Sequence, residues 1–186
     1  MSRPAAFIES IQIPVDLEGH PAARRLLDWW SNACGDGGGR PLKRAFDPVS
    51  FAPLLGAFIL VERDAHGGLR LRIKGERIFA TYTVPGMDDP TDVRELKPLP
   101  YRELVTRDYG QAMAADGPLG WRVTLSVPHQ PVVSYRRLTL PMENAPGAAD
   151  LLLVFNPDAL EPGFRRLTSQ VFSAFIAAYE SDSKAL

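Results

Sequence analysis

From Leu69 to Lys74 the chain reads Leu-Arg-Leu-Arg-Ile-Lys, with apolar and cationic side chains in strict alternation. A period of two puts Leu69, Leu71 and Ile73 on one side of an extended strand and Arg70, Arg72 and Lys74 on the other. Such a segment needs a core on one face and water on the other. Just before it stand the turn sequence His66-Gly67-Gly68 and the aliphatic run Ala57-Phe-Ile-Leu-Val61. Two strand-like runs joined by a glycine turn predict a β-hairpin. A lone hairpin is marginally stable in water, so the remaining chain must extend it or cover it.

The last third supplies further strands. Trp121 to Val127 alternates, with Trp121, Val123, Leu125 and Val127 on one side. Val132 to Leu140 is expected to form the next strand, closed by Pro141, and Leu151 to Phe155 a third after the Asn144-Ala-Pro-Gly147 turn. Helical spacing appears elsewhere. Ala23, Leu26, Leu27, Trp30 and Ala33 share one helix face, with Pro21 suited to its first turn. The glycine run from Gly35 to Gly39 ends that helix. It lacks the preceding strand and following Lys-Ser or Lys-Thr pair of a phosphate loop.

Asp47-Pro48 is expected to open a short helix carrying Phe51, Leu54 and Leu55. A second short helix is expected from Gly75 to about Tyr82, and a loop from Val84 to Arg94. Tyr101 to about Ala115 is a longer helix, and Phe164 to Tyr179 a strongly amphipathic final one. Strands at both ends of a helical middle imply an α+β fold in which one antiparallel sheet carries helices on one face. Residues 1–19 read as an arm, 20–156 as the domain with its first helix, and 157–186 as a helix packing on the domain or on a partner.

Charge narrows the partners. Lys plus Arg number 21 against 22 Asp plus Glu, a formal net charge of -1, without the basic surplus of a nucleic-acid binder. The pairs Arg24-Arg25, Arg136-Arg137 and Arg165-Arg166 read as solvated faces. No apolar run reaches the roughly 18 residues of a membrane span. Glu9 interrupts any signal-peptide core, so a cytoplasmic location is expected. Cys34 is the only cysteine, which excludes an intramolecular disulfide.

Several segments carry a family resemblance. Leu27-Asp28-Trp29-Trp30 lies in the first helix, and Gly39-Arg-Pro-Leu-Lys-Arg-Ala-Phe-Asp47-Pro48 follows it. Leu71-Arg72-Ile73-Lys74-Gly75-Glu76-Arg77-Ile78 covers the second strand, and Arg137-Leu138-Thr139-Leu140-Pro141-Met142 a late one. In these motifs the chain resembles the small, mainly alphaproteobacterial PAS-domain proteins. The stretch from Phe79 to Pro100 departs from that pattern. The resemblance implies a five-stranded antiparallel sheet, flanking helices that frequently dimerise, and a ligand pocket between the sheet and the helical middle. Near that pocket it places Phe79, Tyr82, Tyr109, Trp121 and Tyr135. Candidate interface residues on the end helices are Trp30, Phe172, Phe175 and Tyr179.

Catalytic and metal chemistry find little to build on. His20, His66 and His129 have no ligand-type neighbours at helix-face spacing, and all three are expected in solvated loops. Asp88, Asp89 and Asp92 lack the alternating ligands and distal Glu of a calcium loop and read as a solvated acidic loop. Cys34 is without the sequence context of the flavin-binding photosensory relatives. No cofactor or metal is expected beyond an unidentified small molecule. Three readings stay open: a sensory module binding a small molecule and signalling to a separate partner, a homodimerising or docking domain with a filled core, and a small isomerase-like enzyme.

Overall fold

The computed structural model describes residues 6–34, 39–78 and 90–183. Among these, β1 (Phe7–Ile13) and α1 (Pro21–Cys34) precede the hairpin of β2 (Phe58–Arg63) and β3 (Leu69–Lys74). Then come α2 (Leu99–Ala114), β4 (Leu119–Ser126), β5 (Val133–Met142), β6 (Leu151–Phe155) and α3 (Phe164–Ser183). The strands form one antiparallel sheet in the order β1-β4-β5-β6-β2-β3. The α+β class and the hairpin are as the sequence predicts.

Residues paired across antiparallel strands point the same way, so the register sorts the sheet into two faces. One face carries Trp121 and Val123 of β4, Tyr135, Arg137 and Thr139 of β5, Val154 of β6 and Ile59 of β2. It lies under α2 and α3: Tyr135 meets Phe164 edge-on at 6.1 Å, and Tyr101 meets Phe172 at 5.0 Å. The other face carries Leu138, Leu140, Phe155, Leu153, Phe58 and Leu60. Here Trp29 of α1 packs with Phe46 and Phe51, whose rings reach Phe58 at 5.9 and 6.4 Å. Trp30 donates its indole N–H to the Pro141 carbonyl at 2.8 Å. Covered on both sides, β6 is buried throughout, which explains why Leu151 to Phe155 is continuously apolar.

Four details differ from the expectation. The sheet has six strands, because Phe7–Ile13 of the expected arm pairs with β4. Phe7 and Ile11 stay exposed and Ile8 is only half-buried, so this edge strand carries no clean one-sided pattern. Helices cover both sheet faces, since central strands apolar on both sides must be shielded on both. A bulge between Leu60 and Val61 pairs Leu71 with Val61 but Ile73 with Leu60. Ile73 therefore leaves the inward row of Leu69 and Leu71 for the opposite face, where it is 47% exposed. Pro141 does not close β5, which continues to Met142. Beyond Thr139 the strand has no β4 neighbour, and a residue without an N–H is tolerated there.

Asp47 does cap the following turns, accepting from the Val49 and Ser50 amides at 3.0 and 3.3 Å, but Val49–Ala57 is 3₁₀ rather than α-helical. Gly75 lies against this segment. Any Cβ there would collide with the Gly56 carbonyl, so only glycine lets the end of β3 pass.

Candidate functional site

Sequence periodicity along α2 brings Tyr101, Leu104, Val105, Asp108, Tyr109 and Ala112 to its buried side. One of them is a carboxylate. Asp108 is 0% exposed and accepts from the Arg137 Nη2 at 2.6 Å, and Arg137 on β5 is 4% exposed. The second carboxylate oxygen accepts from Arg107 Nε and Nη2 at 3.0 and 2.8 Å, and Arg107 reaches the surface. A buried ion pair thus ties the helix to the middle of the sheet, with a second guanidinium leading outward.

Aromatic rings enclose this pair. The Arg137 guanidinium carbon lies 5.6 Å from the Tyr109 ring centre and 5.9 Å from that of Tyr135, within cation–π range. Trp121 is the cross-strand partner of Arg137 and donates its indole N–H to the Thr139 hydroxyl at 3.0 Å. Tyr101 adjoins Tyr135 in the same cluster. Arg137 Nε is buried without an acceptor. Burial works against the Arg137 cation, but Tyr135, Tyr109 and Asp108 outweigh it and hold the guanidinium above its ordinary value. Burial pushes the Tyr101 hydroxyl well up and the Tyr109 hydroxyl up, so both are neutral at physiological pH.

Three of the five expected pocket residues, Tyr109, Trp121 and Tyr135, therefore meet at one centre. Phe79 and Tyr82 lie outside the described residues. Sequence reasoning missed Arg137 and Asp108. It read Arg136-Arg137 as a solvated pair, yet the two side chains part across the sheet. Arg136 goes to the opposite face, where its amide and Nη2 donate to Asp158 at 2.6 and 2.5 Å and its Nη1 donates to the Leu17 carbonyl at 3.2 Å. The signal was present in strand parity: Val133, Tyr135, Arg137 and Thr139 form one row, and that row is buried.

Phe172 and Phe175 are 2% and 1% exposed, spent on the chain's own core under α3, so they offer no surface to a partner. Trp30 and Tyr179 are half-buried. His20 is not a solvated loop residue. Its Nδ1 accepts from the Ala22 amide at 3.2 Å and its ring meets Phe155 edge-on at 6.4 Å. Burial, then Arg136, holds its imidazole below the ordinary value. Asp92 is buried and bonded to Arg94 at 2.7 Å, so the expected acidic loop is not simply solvated there. Asp88 and Asp89 lie outside the described residues. Among the described residues no group of three His, Cys, Asp or Glu side chains is placed to hold a metal ion. No helix among them is long and apolar enough to cross a membrane.

On the opposite face, a cleft of about 140 Å³ opens between the sheet and the turns before β2. It is lined by Lys43, Phe46, Pro48, Leu60, Ile73, Met142 and Leu153. A polar groove of about 510 Å³ runs along the β3 edge, where Arg70, Arg72 and Arg94 pair with Asp64, Glu62 and Asp92.

No curated protein and no solved structure matches the chain. A family model described as PAS domain matches residues 18–154, from the entry to α1 through β6. With that match over most of its length, and a two-strand, helical, three-strand order around the Arg137 centre, the chain belongs to the PAS domain family.

Proposed function

We propose that this chain is a sensory PAS module that binds a small molecule beside Arg137 and passes the event to a separate protein, with no chemistry of its own. The observation that carries this reading is the Asp108–Arg137 pair, buried among Tyr109, Trp121 and Tyr135 where α2, β5 and α3 meet. A ligand that moves Asp108 or the tyrosines acts on all three elements at once. α2 is held to β5 through Asp108, while Tyr101 and Tyr135 abut Phe172 and Phe164 of α3. Aromatic residues with a polar tip can stack on a ligand and hydrogen-bond it at one end. The site favours binding over acid–base catalysis: burial moves the Tyr101 and Tyr109 hydroxyls still further above physiological pH, and the Asp108 carboxylate is engaged by two arginines. The narrower resemblance to the alphaproteobacterial PAS proteins is part of this reading and rests on the Leu27–Trp30, Gly39–Pro48, Leu71–Ile78 and Arg137–Met142 segments.

Thermal-shift screening of the full chain against small aromatic and apolar metabolites tests it. The expected result is a ligand that raises the melting temperature and shifts the NMR signals of Tyr109, Trp121 and Tyr135. Ligands acting only at distant residues, or turned over to product, would sink it.

A further inference from the structure

The cleft on the sheet face turned away from Arg137 carries a separate inference. The sheet contributes Leu60, Ile73, Met142 and Leu153 to it, and the turns before β2 contribute Lys43, Phe46 and Pro48. Its size decides what can enter. About 140 Å³ is well short of the roughly 300–1,000 Å³ of a metabolite pocket. It matches the cavity of about 150 Å³ that accepts one benzene ring.

The surroundings are those of a contact surface. The bulge at Arg72 of β3 delivers Ile73 to the rim, 47% exposed, and Val49, next to Pro48 in sequence, is 81% exposed. Exposed apolar side chains around a one-ring recess are the arrangement in which a partner's anchor residue is buried. Lys43 puts an exposed cation at this mouth. The nearby acid Asp47 is occupied by the Val49 and Ser50 amides and the Ser50 hydroxyl.

We propose that this cleft docks one aromatic side chain from an acidic segment of a separate protein partner. The ring fills the recess over Leu60 and Leu153, Ile73 closes over it, and a flanking carboxylate meets Lys43. Docking here is independent of any ligand at Arg137, because the two sites lie on opposite faces of the sheet.

Selection of a random peptide phage library on the full chain tests the assignment, followed by affinity measurement with the best synthetic peptide. The expected peptides place Phe, Tyr or Trp next to Asp or Glu. Ile73→Glu weakens their binding by at least about tenfold, as loss of an anchor contact should. Lys43→Glu, at an exposed position outside the core, weakens it as well, with the melting temperature of the protein unchanged. Replacing the peptide's aromatic residue by Ala abolishes binding. The proposal is overturned by no enrichment, by a consensus without acidic residues, or by affinity indifferent to both substitutions. It is equally overturned by a dimer that Ile73→Glu dissolves, which would make a second copy the occupant. Benzoate competing with the peptide at Phe46 and Ile73 while the peptide itself binds without its aromatic residue would likewise overturn it.

Discussion

Arg137 and Asp108 place opposite charges where water does not reach, and the cost of desolvating them is offset only while both are present. Replacing Arg137 by Met leaves the Asp108 carboxylate buried with Arg107 alone. The expected loss is about 3–5 kcal/mol of unfolding free energy, read by urea denaturation. Adding Asp108→Leu to that background should recover a large part of it, because two apolar groups restore a neutral core. If the double variant is as unstable as the single one, the two charges do not act as a pair. This centre was only half legible beforehand. Tyr109, Trp121 and Tyr135 stood out because the PAS resemblance puts a pocket between the sheet and the helical middle, where these aromatic residues fall. Arg137 did not, because charge is read as exposure and only its place in the row of Tyr135 and Thr139 argues otherwise.

Among the elements, β1 is the one that periodicity hid. Its apolar residues Phe7, Ile8, Ile11 and Ile13 fall on both parities, as an edge strand partly open on each side permits. What seats it is Gly120: a Cβ there would come within 2.6 Å of the Pro14 carbonyl. Gly120→Ala should therefore lift the end of β1 off β4 at a cost of about 1–3 kcal/mol, the usual penalty of overpacking. Hydrogen exchange would show it as faster exchange at Phe7–Ile13, with β5 and β6 protected as before. Equal loss of protection across all strands would contradict the local account. β3 taught the converse. Its perfect alternation identified the strand, but the bulge in its partner register reassigned Ile73, and a bulge leaves no mark in a pattern of side-chain polarity.

At the scale of the molecule, stability should follow pH in two stages. His20 titrates below its ordinary value of 6.5 in the folded chain, so the unfolded chain takes up a proton first. Its contribution is present above that value and is lost as pH falls through the lowered one. Asp64, held low by the Gly68 and His66 amides, and Asp92, held low by Arg94, contribute above the ordinary 3.8 and lose that contribution in stronger acid. Melting temperatures from neutral to acid pH should show both declines. His20→Asn, which keeps a cap for Ala22, should remove the first and leave the second. A first decline that persists in this variant would assign it elsewhere. The two arginines of β5 bind the whole together. One peptide link separates a side chain anchored to Asp158 and Leu17 from one anchored to Asp108 on the other side of the sheet. Two adjacent codons thus need arginine for unlike reasons: at 136 the guanidinium forks onto Asp158 and still reaches the Leu17 carbonyl, while at 137 its plane faces two tyrosine rings beside a buried carboxylate, and lysine reproduces neither.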